Sequence, residues 1–238
     1  MSLDSLLKAS HGAGVGDSSA GDISIDLSQV YTWMRDNSLN LHPQLIALAE
    51  ATKNVERNQM ISSPEQMQFF QLLFKIMGVK NAIEVGTYTG FGTLAMSLAL
   101  PEDGQIITCD INEVYPSIGK PFWEHTGQLR KVILRIGPAN QTLGDLLTQG
   151  KERFFDFAFI DCNKEQYDEY YELCLKLIRS NGIIAVDNTL WGGKVAYPTF
   201  TDEQTTSMRN LILKMHTDKR IEQVMLPIGD GLTLARVL

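Results

Sequence analysis

Five short apolar segments, each followed by a stretch of helical character, constrain this chain more than any other feature. They are NAIEV at 81–85, QIITCD at 105–110, KVILRI at 131–136, FDFAFID at 155–161 and GIIAVD at 182–187. Strands that alternate with helices run parallel, because each crossover returns the chain to the same end of the sheet. Segments this uniformly apolar are buried on both faces, so helices must cover both sides. The tail IEQVMLPIGDGLTLARVL reads as two further strands around Gly229-Asp230-Gly231, an antiparallel hairpin that closes the sheet. The expected fold is therefore α/β, a seven-stranded and mostly parallel sheet with helices on both faces.

The 238 residues suit one large α/β domain. Residues 10–22, SHGAGVGDSSAGD, offer almost nothing to bury. Residues 1–25 are read as a flexible leader, and 26–238 as a single domain with an N-terminal helical appendage. Residues 26–58 hold two helical pieces, with Pro43 near the start of the second. In SSPEQMQFFQLLFKIMG, Ser63 is the expected N-cap, Pro64 the first helical residue and Gln66 the return half of a capping box; Gly78 ends the helix. Met67, Phe70, Phe74 and Met77 share one face and read as core. A long helix is expected from about Glu165 to Arg179, and a capping box over Thr201–Gln204 opens another.

A net charge of −7 argues against a general nucleic-acid or anionic-membrane binder. Three cysteines, Cys109, Cys162 and Cys174, form no CxxC pair and fit reduced thiols in a cytoplasm. No run approaches the roughly 18 apolar residues of a membrane span. The four histidines, at 11, 42, 125 and 216, are scattered and suggest no zinc site.

Glu84, Asp110, Asp161 and Asp187 each stand at or near a strand end. Ligands of open α/β sheets bind beyond those ends. A helix-capping role explains one such acid more easily than four. The segment EVGTYTGFG, Glu84 to Gly92, spaces its glycines G-x-x-x-G-x-G, not the G-x-G-x-x-G of dinucleotide sites. Glu84 puts a negative charge where a pyrophosphate would be repelled. Asp110 ends the next strand and suits the two hydroxyls of a ribose. A nucleoside with a positive centre, such as S-adenosylmethionine, satisfies all three features. An NAD(P)-dependent oxidoreductase is the competing enzyme class, and a non-catalytic S-adenosylmethionine-binding regulatory protein the competing non-enzyme.

Together, EVGTYTGFGTLAMSLALPEDGQIITCDIN, FIDCNKEQYDEYY, VDNTLWGGKV and LPIGDGLTLAR resemble the cation-dependent O-methyltransferases, the caffeoyl-coenzyme A and catechol enzymes. The resemblance covers about residues 27–238. It implies a Rossmann-like class I methyltransferase fold whose last hairpin is reversed. It implies cofactor contacts from Ser62, Glu84, Gly86, Thr87, Gly92, Asp110, Ala139, Asp161, Asn163 and Tyr170. It implies metal ligation by Asp161, Asp187 and Asn188, with Lys164 as general base beside Asp161. Gly92 stands where the family often has Ser, Asn163 where it often has Asp, and Gly192 where the plant thioester enzymes have Asn. Thr93 is the candidate to replace the missing hydroxyl at 92.

Two carboxylates and an amide oxygen suit a hard cation, magnesium first, with manganese or calcium as alternatives. Such a cation can bind both oxygens of a vicinal diol and lower a hydroxyl pKa. A neutral Lys164 amine can then take the phenolic proton, although a plain surface lysine opening a helix explains the same residue. Trp191, Tyr197 and Phe200 either wall an aromatic substrate or pack an interface. The expected partners are a small aromatic diol and a second copy of the chain.

Overall fold

The computed structural model describes residues 27–238. The leader expected over 1–25 lies outside them. Helix α1 (Leu27–Ser38) belongs to one compact unit and residues Leu39–Leu238 form another. Tyr31 and Trp33 of α1 are exposed.

In the larger unit, helices α2 (Pro43–Thr52) and α3 (Pro64–Met77) precede strand β1 (Asn81–Val85). There follow α4 (Phe91–Ala99), β2 (Gln105–Asp110), α5 (Val114–His125), β3 (Val132–Ile136), α6 (Ala139–Thr148) and β4 (Phe155–Ile160). The chain continues through α7 (Tyr167–Leu177), β5 (Ile178–Asp187), α8 (Glu203–Thr217), β6 (Ile221–Leu226) and β7 (Leu232–Val237). Among the described residues, seven strands form one sheet in the order β3-β2-β1-β4-β5-β7-β6. The first five run parallel, and β7 pairs antiparallel with both β5 and β6. This is the expected sheet with its reversed last hairpin.

Apolar side chains fill both faces of the sheet. On one, Leu45, Phe70, Leu94 and Trp123 from α2–α5 pack against Ala82, Ile106 and Phe157. On the other, Leu143, Tyr171 and Met208 from α6–α8 pack against Ile83, Ala158 and Ile184. Phe70 and Phe157 meet edge to face with centroids 5.1 Å apart.

Helix α3 begins and ends as expected. The Ser63 hydroxyl accepts the Gln66 N–H, and Gly78 caps the far end at φ 65°. The other half of the capping box is not what Gln66 provides: its side-chain amide turns inward and donates to Asp187, 3.0 Å away. The next capping box also differs, since Asp202, not Thr201, caps α8. Its carboxylate accepts both the Thr205 N–H and the Thr205 hydroxyl.

Several boundaries move. β3 starts at Val132 because Lys131 lies in a 3-10 turn, where its buried ammonium donates to the Leu100 carbonyl at 2.8 Å. Asp161 falls one residue past β4. Helix α7 stops at Leu177, not Arg179, because β5 starts at Ile178, which pairs with Phe155.

Candidate active site

Parallel pairing puts the carboxyl ends of β1, β2, β4 and β5 on one rim. The backbone after β1 passes closest to the sheet. Gly86 has φ 107°, and a side chain there would put its first carbon 1.7 Å from the Asp161 carbonyl oxygen. Only glycine permits that approach. Asp161 is fixed in turn by its N–H, which donates to the Val85 carbonyl at 2.8 Å.

Glu84 is fully buried and meets Thr93, Thr108 and Gly92. The Thr93 and Thr108 hydroxyls both donate to Oε2, the latter at 2.6 Å. Oε1 faces Gly92: a side chain at 92 would put its first carbon 2.5 Å from that oxygen and 3.6 Å from the Ser62 hydroxyl. The serine common in the family is therefore not accommodated beside this Glu84 rotamer, and Thr93 supplies a hydroxyl from the next position. Burial raises the Glu84 carboxyl to about 8, against the lowering effect of its two hydroxyl donors.

Asp110 is already engaged by its own backbone surroundings. Oδ2 accepts the Thr87 N–H at 3.2 Å and the Tyr88 N–H at 2.8 Å, and Oδ1 accepts the Asn112 N–H at 2.9 Å. A carboxylate has about four acceptor positions. Asp110 thus shapes the glycine loop and keeps about one position for a ligand hydroxyl, where the sequence suggested it could serve both. Tyr88 extends the loop, its ring 5.0 Å from Tyr115 and its hydroxyl donating to the Glu56 carbonyl. Ala139 opens α6 beyond the end of β3. Asn163, Gln166 and Tyr170 form a separate polar group: the Tyr170 hydroxyl donates to the Gln166 side-chain oxygen at 2.6 Å, and the Asn163 amide donates to the same oxygen at 3.0 Å.

The third group gathers around Lys164. Its ammonium donates to Asp161 Oδ1 at 3.2 Å, to Asn188 Oδ1 at 2.6 Å and to the Tyr167 hydroxyl at 2.6 Å. Lys164 is buried, not the solvated lysine that its place at the start of a turn would allow. Asn188 takes the left-handed conformation, φ 57°, which asparagine tolerates better than most residues. Asp187 is buried, with Oδ2 accepting the Gln66 amide and Oδ1 accepting the Asn188 N–H at 2.7 Å. Burial and the nearby Asp161 charge raise its carboxyl to about 7. Among the described residues no three His, Cys, Asp or Glu side chains form a metal-binding group. The donor set at the rim is instead two carboxylates and one amide oxygen, two of which already hold a cationic side chain. Hard-oxygen donors of this kind fit a magnesium-type cation.

Cys162 packs partly against the core and burial raises its thiol, consistent with a filler. Trp191 stands over the lysine, with its ring centroid 5.6 Å from Nζ. Its indole N–H is buried without a partner.

The sequence did not point to Gln66, Thr108 or Tyr167. Tyr167 was the most accessible, since helical spacing brings residues three apart together. The local signal of Gln66 was a capping box, and nothing near it pointed to its partner Asp187, 121 residues away.

Comparison with known proteins agrees with this geometry. A family described as O-methyltransferase matches residues 35–238. The chain is 41% identical over 200 residues to "Probable caffeoyl-CoA O-methyltransferase 1" of Dictyostelium discoideum, spanning 84% of this chain and 86% of that one. It is 40% identical over 196 residues to caffeoyl-CoA O-methyltransferase 1 of Zea mays, spanning 79% of this chain and 76% of that one. Among solved structures, the O-methyltransferase from Bacillus cereus in complex with SAH superposes with a TM-score of 0.81 at 26% identity, covering 88% of this chain and 97% of that one. The chain belongs to the O-methyltransferase family, and its fold is that of the class I enzymes.

Proposed function

We propose that this protein transfers the methyl group of S-adenosylmethionine to one hydroxyl of a small vicinal dihydroxy aromatic, with a divalent cation bound at Asp161, Asp187 and Asn188. One observation carries the proposal: the ends of two adjacent parallel strands bring Asp161 and Asn188 onto one buried lysine, with Asp187 preceding Asn188 and held by Gln66. The SAH-bound structural relative from Bacillus cereus and the family match favour a methyltransferase over a nicotinamide oxidoreductase.

The cofactor supplies the electrophilic methyl group, and the cation supplies charge that orients two neighbouring oxygens and lowers a hydroxyl pKa. The chain's own residues do the rest. Glu84, at the floor of the glycine loop, faces a positive ligand group with Oε1. Asp110 offers its remaining acceptor position to a ribose hydroxyl. Asp161 and Asn188 hold the Lys164 amine at the rim, where it is placed to take a proton from the attacking hydroxyl. Tyr167 keeps the amine in place from the protein side. Methyl transfer needs in-line alignment, so much of the acceleration should come from positioning.

Turnover of caffeic acid and 4-coumaric acid with magnesium present tests this. The diol should be methylated at least about 100-fold faster, as expected when two-point positioning is lost on the monophenol. Exhaustive chelation, and separately Asp187→Ala, should abolish turnover. Equal rates on the monophenol, or full activity after chelation, would refute the proposal. A cytoplasmic homodimer is part of the same proposal and is checked by light scattering of the purified chain.

A further inference from the structure

The segment after the rim carboxylates, Trp191–Phe200, is held locally only by short turns, such as the Gly193 N–H to the Leu190 carbonyl and the Phe200 N–H to the Tyr197 carbonyl. Trp191, Gly192 and Gly193 adopt left-handed φ values of 47°, 60° and 80°, and a short 3-10 helix spans Trp191–Ala196. Most of its residues are exposed. Inside the segment the Lys194 carbonyl accepts the Tyr197 N–H at 3.1 Å and the Tyr197 carbonyl accepts the Phe200 N–H at 3.2 Å, each with acceptor capacity to spare. These carbonyls and two others of the segment converge on one side chain from a different element. Arg209 of α8 donates through Nε to the Val195 carbonyl at 3.0 Å. Its Nη2 lies 3.3 Å from the Lys194 carbonyl, 2.9 Å from that of Tyr197 and 3.0 Å from that of Phe200. The opposite end of the segment is tied to the β6–β7 turn, where Asp230 accepts the Gly192 N–H at 2.7 Å. Helix α8 also reaches the lysine turn, because Gln204 donates to Glu165 at 2.9 Å.

We propose that Arg209 is the positioning residue for the acceptor side of the site, and that its guanidinium fixes Trp191–Phe200 as a rigid wall. The role rests on the reading above that this segment borders the acceptor, since Trp191 stands beside Lys164. One N–H on Nε and two on Nη2 face the four carbonyls, so at least one N–H is shared; a lysine ammonium also has three N–H groups but gathers them on one atom and cannot spread them along the segment. The carbonyls are accessible to water, so losing the fork loosens the segment without unfolding the domain. Glu84, Gly86 and Asp110, on β1, β2 and the loop between them, make no hydrogen bond to the segment.

Two measurements on Arg209→Met, which keeps most of the apolar stem, test the proposal. Trypsin should cut after Lys194 about tenfold faster than in the wild type, because cleavage follows the population of the open segment. The KM for caffeic acid should rise about tenfold while kcat changes by less than about threefold, the pattern for lost acceptor binding. Arg209→Lys should fall between. The dissociation constant for S-adenosylmethionine should not change. Unchanged cleavage and KM would overturn the proposal. So would a parallel loss of thermal stability and cofactor affinity, which would make Arg209 a general structural residue. If Arg209→Met does not fold, Arg209→Lys carries both measurements. If the wild type methylates no catechol, the proposed function fails, while the cleavage ratio still decides whether Arg209 fixes the wall.

Discussion

Gly86 and Asp161 touch backbone to backbone, so the cofactor loop and the acid-bearing loop form one surface: a first side-chain carbon at 86 would lie 1.7 Å from the Asp161 carbonyl oxygen. Gly86→Ala must force β1 and β4 apart at their carboxyl ends. It also places a side chain at φ 107°. We expect a loss of at least ~3 kcal/mol of stability, read by urea unfolding. A loss below about 1 kcal/mol would show that the two loops can separate freely.

Glu84 predicts a pH dependence. Its carboxyl is raised by burial from an ordinary 4.5 to about 8. Between those values the folded state keeps a proton that the unfolded state has released. Stability from this group is therefore present below the unfolded value and falls as pH rises toward the folded one. The total is on the order of a few kcal/mol. Glu84→Gln should remove this slope, so unfolding free energies measured near about pH 5 and about pH 8.5 should lie closer together than in the wild type. An unchanged difference would assign the slope to other groups.

Gln66 should matter through Asp187. Its amide fixes one carboxylate oxygen, and removing such an outer partner commonly weakens metal binding about tenfold or more. Gln66→Met keeps the volume and removes the donor. Manganese affinity, followed by electron paramagnetic resonance, should fall by that factor while the melting temperature moves by only a few degrees. Equal affinities would reduce Gln66 to a helix-start residue.

Asp110→Asn should weaken S-adenosylmethionine binding by about 1.5–3 kcal/mol, the scale for a hydrogen bond to a charged group. The amide end of Asn also opposes the N–H groups of Thr87 and Tyr88, which the carboxylate now holds. Titration calorimetry measures the loss. Unchanged affinity would leave Asp110 as a loop anchor alone.

Much of this was legible in the chain itself. NAIEV and QIITCD become strands over the stated residues, because an apolar run bounded by turn residues has few other outcomes. Asp161 and Asp187 stood out by their places at or near strand ends, Asn188 entered only through the family resemblance, and the structure sets all three at one rim. What stayed hidden depended on distant partners. Gln66 matched a local capping pattern, and its contact with Asp187 arises only when α3 packs beside β5. Lys131 looked like the first residue of a strand until the Leu100 carbonyl drew its ammonium inward. Arg209 looked like any helix-surface arginine, because its four acceptors lie 9 to 15 residues upstream on an irregular segment.

The order of the last two strands bears on how the protein is made. β7 lies between β5 and β6, although it is synthesised after both. Until it leaves the ribosome, β5 has an open edge and β6 has no neighbour in the sheet. A nascent chain halted after β6 would expose the unpaired backbone of the strand that carries Asp187, an invitation to pair with another polypeptide. Completion of the rim is thereby tied to the arrival of Leu232–Val237, and shortened translation products should be captured by chaperones or aggregate before they can hold ligand.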